Sequence, residues 1–444
     1  MKTNSKTETG MGFWSIVLMG LGAVIGAGVV TYSGIAVGLT GRSAWIAYAV
    51  AILLGFLCNL PLILMTTAAR IKGGNYSFIA TTLGDLGGGY YGISRVLMVL
   101  SFSTFSLSFG NYMNIIFPMV PVKVFAYGAL ILFGVINLFG TDFMAKVQNF
   151  LSMFLIVGLL IFGIYGVLNA KPDSLVISQP GYFLGGKDGF WQAVMILMAS
   201  TTGYTLITSF SNNCKKPKTE LPLAMCVIPL LLVVIYCSVA FTMSNVLPVE
   251  ETANQPLTVV AKVLFNPFVY YLFIIGGPVM ALCTTLNSSY GIFERPLVQV
   301  SDDGWLPASL AARNKYGIAW KYIVIFMLVG AIPMAAGFNI RTIVSNTTFV
   351  NSIGYILEAV AVMLYPKKMD GAWENRAWKI PKWAFLTSCW TCIVIRLYMM
   401  WRSLKTANMT MVIGSLVACV LILLWCVYRQ KSGKVHVTKS WELQ

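Results

Sequence analysis

Charge and histidine are what this sequence has least of. Charged residues make up 10% of the 444 and hydrophobic ones 57%, where soluble domains carry roughly 25% and 45–50%. A water-solvated globule is thereby excluded, and most of the surface must face lipid. The single histidine, His436, sits in the C-terminal tail, so no histidine relay runs through a membrane. Acidic residues number 15 against 31 Lys and Arg, a net charge of +16. The basic residues cluster in short breaks between apolar runs, as membrane topology demands, with no basic helix face or aromatic platform, which excludes nucleic acid as a partner. Long polar stretches are also missing: the longest, about 366–381, is too short to bury a core of its own. There is no H-E-x-x-H, no serine–histidine pair and no GxxxxGK[ST], so neither an enzyme, nor a cofactor, nor direct ATP drive is expected.

The nine cysteines (58, 214, 226, 237, 283, 389, 392, 419, 426) lie mostly inside apolar runs, and no disulfide framework is implied. Cys389-Trp390-Thr391-Cys392 has metal-like spacing. Without a second pair or a nearby histidine it reads as two small apolar residues on a helix, and no metal site is expected.

What is present in abundance is long apolar runs. Taking about 20 residues per crossing, they divide into twelve segments: 12–38, 43–66, 90–117, 121–140, 147–168, 190–211, 221–247, 268–298, 320–338, 343–365, 382–401 and 409–428. The first, with its ten-residue polar lead, is too long for a signal-peptide core and reads as an uncleaved span. An even count puts both ends on one side. Assigning them to the cytoplasm places 20 Lys and Arg inside and only Arg42, Lys123, Lys171, Lys187, Lys262, Arg341, Arg402 and Lys405 outside. The chain is therefore expected to be a multi-pass protein of the plasma (inner) membrane with cytoplasmic termini.

Segment 1 carries Gly22-Ala23-Val24-Ile25-Gly26-Ala27-Gly28-Val29-Val30, three glycines at bilayer depth, followed by Thr31, Tyr32 and Ser33. Gly22 and Gly26 have the small-xxx-small spacing that lets helices pack closely. The alternative is an unwound segment, tolerated at this depth only where it lines a cavity. Segment 6, five crossings later, has a matching small-polar break, Ala199-Ser200-Thr201-Thr202-Gly203-Tyr204-Thr205. A five-helix unit has odd length, so its second copy enters the membrane inverted, and interrupted helices at corresponding positions mark a midplane site. The freed ends present amides on one side and carbonyls on the other, the chemistry that holds a zwitterion.

These residues resemble the amino acid-polyamine-organocation family of transporters. Segment 1 is similar to its G-x-x-I-G-x-G-[IV] signature. Residues 72–92, KGGNYSFIATTLGDLGGGYYG, resemble its inner loop after span 2. Gly203 with Lys215-Lys216-Pro217-Lys218-Thr219-Glu220-Leu221-Pro222 resembles its span-6 break and following loop, and 295–307, RPLVQVSDDGWLP, its motif after span 8. The resemblance implies an all-α, twelve-helix membrane protein with a LeuT-like core of two inverted five-helix repeats. The repeats would be 11–168 and 189–366, with peripheral helices in 381–428 and cytoplasmic tails at 1–10 and 429–444. It implies alternating access to one central site. There the Gly26 and Gly28 amides face a substrate carboxylate, and carbonyls near Val24, Ile25, Ala199 and Ser200 receive its ammonium. Ala27, Thr201, Gly203, Tyr204 and Thr205 complete the breaks.

The sequence departs from its relatives at several points. Ala199 stands where some members carry an aromatic gate, Thr205 where others carry an acid, and Ser289 near a pocket aromatic of span 8. Aromatic bulk could come instead from Phe102 and Phe105, whose i, i+3 spacing equally suits helix packing. Leu155 replaces a lysine that stands in for sodium in many exchangers. Glu358 and Arg95, at similar inner depth in segments 10 and 3, are coupling candidates, either as a structural pair or with Glu358 taking up a proton. Glu294 and Arg295 read as inner-gate or loop contacts. Thr284, Thr285, Asn287, Ser288 and Ser289 could help cage sodium or bond their own helix.

The expected function is a secondary transporter, an exchanger or proton-coupled symporter of a small neutral amino acid. Its partners would be that substrate, lipid, and a proton or sodium ion. An amine–amino acid antiporter and a non-transporting sensor on the same fold are the alternatives. Oligomeric state is not specified by the sequence.

Overall fold

A computed structural model describes residues 12–71, 74–170, 175–178, 181–201, 203–205, 207–208, 214, 216–405, 407–437 and 441–443. Thr202 of the second break and residues 1–11 lie outside them.

Helix is found in each of the twelve apolar segments, because a backbone in lipid must satisfy its own hydrogen bonds. Segment 1 forms Phe13–Val24 and Ala27–Thr40, and segment 2 forms Ala44–Thr66. Segment 3 starts earlier than the sequence suggests, at Asp85, and runs through a 3-10 stretch at Arg95–Ser101 to Ile116. Segments 4 and 5 are Val122–Asn137 and Thr141–Leu168. Segment 6 forms Gly186–Met198 and segment 7 Pro217–Asn245. Segment 8 runs from Pro267 to Asp302 through a π turn at Ile275–Val279 that contains Pro278. Segments 9 to 12 are Trp320–Ala335, Ile340–Lys368, Lys382–Leu404 and Met409–Lys431. Among the described residues, eight helical stretches are long and apolar enough to cross a membrane, and Phe13–Val24, Val122–Asn137 and Trp320–Ala335 are shorter apolar helices.

Segments 8, 10 and 12 share one start signal. Asn266, Asn339 and Asn408 each accept a hydrogen bond from an amide of the first turn, which satisfies a donor the helix cannot pair internally. Segment 7 packs against segments 2 and 5, segment 3 against 4, and segment 10 against 11. Segments 5 and 12 turn large apolar side chains outward, Met153 and Leu421 among them, as lipid-solvated faces do.

The break of segment 6 falls at 199–205, where the sequence places it, although the helix begins at Gly186, earlier than the expected 190. Helix stops at Met198, turns follow through Thr201, and Gly203–Thr205 is a 3-10 turn. Short elements were not foreseen. Val249–Thr252 and Thr258–Leu264 follow segment 7, and Gly74–Leu83 precedes segment 3. The one sheet among the described residues joins Ala69–Ile71 antiparallel to Trp441–Leu443.

Candidate functional site

The break in segment 1 is local. Helix ends at Val24, Ile25 is extended with its amide still bonded to the Leu21 carbonyl, and helix resumes at Ala27. The N-terminus of the second half is occupied: the Ala27 amide donates to Thr285 Oγ1 of segment 8 at 2.7 Å. Glycine is required at 26 because a Cβ there would lie 2.1 Å from that oxygen.

The two breaks lie directly against one another. A Cβ on Gly28 would stand 2.2 Å from Ser200 Cβ, and one on Gly203 would stand 2.7 Å from the Ala23 carbonyl oxygen. Gly28 and Gly203 thus let each broken backbone touch the other. Tyr236 of segment 7, fully buried, ties the pair: its hydroxyl lies 2.9 Å from the Val24 carbonyl and 3.5 Å from that of Ser200. Tyr48 of segment 2 reaches Ser200 Oγ at 3.0 Å, and its ring packs on that of Tyr236. Ser200 and Thr201 also donate back to the Leu197 and Met198 carbonyls, satisfying acceptors that the interrupted helix leaves open. The result is one polar seam in an apolar core, with carbonyls, amides and hydroxyls from segments 1, 2, 6, 7 and 8.

The structure thus brings together Val24, Ile25, Gly26, Ala27, Gly28, Ser200, Thr201 and Gly203. Ala199, exposed, begins the segment 6 break. Tyr204 is buried just beyond it with its hydroxyl turned toward segment 2, where it accepts from Asn59 Nδ2 at 3.2 Å. Thr205, half-buried, offers its carbonyl to Thr208 Oγ1 at 2.9 Å. Ser289 donates to the Thr285 carbonyl of its own helix at 2.6 Å. Phe102 is placed elsewhere, in an aromatic cluster with Tyr290, Phe293 and Phe326 between segments 3, 8 and 9. Phe105 packs, half-buried, against the main apolar core.

Glu358 and Arg95 come close without forming a direct ion pair. Glu358 Oε1 accepts from Asn75 Nδ2 at 3.1 Å and from the Tyr91 hydroxyl. The Arg95 guanidinium lies 4.3 Å from the centre of the Tyr91 ring and packs on Gly354, where a Cβ would meet it. Tyr91 therefore sits between the two, holding the acid with its hydroxyl and the base with its face. Sequence reasoning missed Arg396, buried in segment 11 over the Tyr355 ring at 3.9 Å. Its signal was plain, an ionisable residue at bilayer depth. Tyr236 and Tyr48 were missed as well, because one polar atom in an apolar run does not announce which way it points.

Among the described residues no group of three or more His, Cys, Asp or Glu could hold a metal. Thr284 and Thr285 both donate to the Ala281 carbonyl, at 2.8 and 3.0 Å, so these hydroxyls bond their own helix while Thr285 also reaches segment 1.

A family model described as amino acid permease matches residues 11–435. The branched-chain amino acid permease BcaP of Bacillus subtilis is 23% identical over 403 residues, 84% of this chain and 83% of that one. The uncharacterized amino acid permease YvbW of the same organism is 23% identical over 449 residues, covering 94% and 96%. The inner membrane transport protein YbaT of Escherichia coli is 20% identical over 352 residues, covering 76% and 80%. With the family model spanning nearly the whole chain and helices built to cross a bilayer, the protein is a multi-pass integral membrane protein that belongs to the amino acid permease family of transporters.

Proposed function

We propose that this protein is a secondary active transporter, an exchanger or proton-coupled symporter, that carries a small neutral amino acid by alternating access. The observation that carries the reading is the direct contact of two interrupted segments, Gly28 against Ser200 and Gly203 against Ala23. In this reading the twelve segments form a LeuT-like core of inverted repeats, 11–168 and 189–366, with peripheral helices in 381–428 and both termini cytoplasmic. The substrate carboxylate sits at the Gly26–Gly28 amides, where the helix dipole favours an anion. Its ammonium takes the Val24, Ile25, Ala199 and Ser200 carbonyls. Thr205, in place of an acid, disfavours a dicationic substrate.

The bonds seen now give this scheme a low-cost starting state. Tyr236 meets the Val24 carbonyl and Thr285 the Ala27 amide, so a substrate exchanges one set of hydrogen bonds for another rather than meeting bare polar ends, each of which costs about 1–3 kcal/mol when buried. Relatives named as amino acid permeases support the substrate class. Counterflow in proteoliposomes of purified protein tests the reading. Labelled amino acid should accumulate transiently when the lumen is preloaded with the same unlabelled compound. No counterflow with any of the common L-amino acids would reject it.

A further inference from the structure

One buried carboxyl group lies on a helix other than that of Glu358, and its surroundings differ. Glu294, two turns from the end of segment 8, is 8% exposed. Its Oε1 accepts one bond, from the Ala319 amide at 3.0 Å. The charged and titratable groups within electrostatic reach are Arg295 on its own helix, Arg313 in the following loop, and Tyr322 at the start of segment 9. Segments 4 and 5 present Asn137 and Met144 to it across a small cavity, with room for about one water molecule.

That cavity adjoins a set of polar side chains, Asn137 and Asn287 buried and Gln148 and Ser152 half-buried. Asn137 donates to the Asn287 carbonyl at 3.1 Å, and Asn287 Nδ2 bonds Gln148 Oε1 of segment 5 at 3.1 Å. One helical turn beyond Gln148 is Ser152, against which Gly22 of segment 1 rests: a Cβ there would lie 3.1 Å from Ser152 Oγ. Side chains of segments 8, 4 and 5 therefore run from an acid near the cytoplasmic end to the helix just before the first break. A buried carboxylate is costly unless compensated. Here the compensation is one peptide N–H and two guanidiniums at the inner end of segment 8 and in its loop, so any shift of that loop changes what the charge costs.

We infer that Glu294 is the residue through which transport takes up a proton from the cytoplasmic side. This rests on the transporter reading above. The carboxylate accepts a proton from hydronium in the water reaching the cavity, forming a carboxylic acid and leaving water behind, and the neutral acid lets the loop carrying Arg313 and Ala319 move. Glu358 is less suited, since Asn75 and the Tyr91 hydroxyl both donate to its Oε1 and fix it in place.

The test uses full-length protein in liposomes holding a pH-sensitive dye, with an equimolar mixture of the twenty common L-amino acids as probe. Wild-type protein should change lumenal pH when the mixture is added. Glu294→Gln should lower that rate by about tenfold or more, on the scale of an intramolecular coupling, while counterflow of the labelled mixture persists. Glu294→Asp should retain proton movement with a displaced pH profile, which a purely structural role would not move. Proton movement by Glu294→Gln at the wild-type rate overturns the inference, as does an unshifted profile in Glu294→Asp. Wild-type counterflow without any proton movement also overturns it yet leaves the transporter reading standing, whereas absence of wild-type counterflow removes both.

Discussion

Replacing Gly28 by alanine adds one methyl group at the contact of the two breaks. The new Cβ would start 2.2 Å from Ser200 Cβ and 3.0 Å from Ser200 Cα, whereas carbon atoms rest at about 3.5–4.0 Å. A Ser200 rotamer change cannot relieve the clash, because both atoms are fixed by the backbone. Segments 1 and 6 must part by more than an ångström. Overpacking of this kind costs about 1–3 kcal/mol, and a displacement of about 1 Å at a reacting or binding site can cost about a hundredfold in rate. Gly128, in segment 4, is the matched control: a Cβ there meets nothing within 4 Å, and alanine should strengthen the helix by about 0.5–1 kcal/mol. Thermal unfolding in detergent and counterflow in liposomes give the two readouts. Gly28→Ala should unfold at lower temperature and lose most of its exchange, and Gly128→Ala should do neither. Equal behaviour of the two variants would refute the contact between the breaks.

Other perturbations separate the remaining interactions. Tyr236→Phe keeps the ring and removes the hydroxyl shared by the Val24 and Ser200 carbonyls, so thermal stability should fall by about 1–3 kcal/mol; an unchanged unfolding temperature would show that the hydroxyl does not tie the breaks. Glu358→Gln replaces the carboxyl group that accepts from Asn75 and Tyr91 beside Arg95 and should destabilise, whereas Arg396→Met, which deletes a buried guanidinium with two nitrogens unpartnered among the described residues, should be neutral or stabilising. The reverse order in calorimetry would contradict this account of the Glu358 cluster. At the start of segment 6, Arg402 binds Asp188 at 2.6 Å and holds its carboxyl below the usual aspartate range. A depressed acid stabilises above its unfolded pKa and loses that contribution as pH falls through the lower folded value. The stability difference between wild type and Asp188→Asn should therefore stay constant from neutral pH down to the ordinary aspartate range and fade only below it; a difference that titrates near neutrality would argue against the pair.

The sequence was legible where physics leaves few options. Apolar runs of crossing length had to be helices, and glycines at 26, 28 and 203 had to mark a place where helix stops or backbones meet. Both held: helix ends at Val24 and Met198, and these glycines sit in contacts that exclude a side chain. Less legible were features fixed by tertiary packing. The four- and seven-residue helices after segment 7 are too short to show a period. The π turn around Pro278 inserts no composition change into its run. Arg95 and Glu358 share a depth, which a linear count can give, but the tyrosine between them depends on how segments 3 and 10 rotate. Phe102 shows the same limit, since i, i+3 spacing with Phe105 fits a cavity wall and an aromatic core equally well, and here its ring joins Tyr290 and Phe326.

The most direct measurement is an experimental density map of the protein in lipid nanodiscs with a saturating amino acid identified by counterflow. Ligand density should lie between Ile25–Gly28 and Ala199–Gly203, its carboxylate against the segment 1 amides and its ammonium against carbonyls that Tyr236 holds in the free state. Ligand bound elsewhere, with segments 1 and 6 continuous through residues 25–26 and 199–203, would contradict the account.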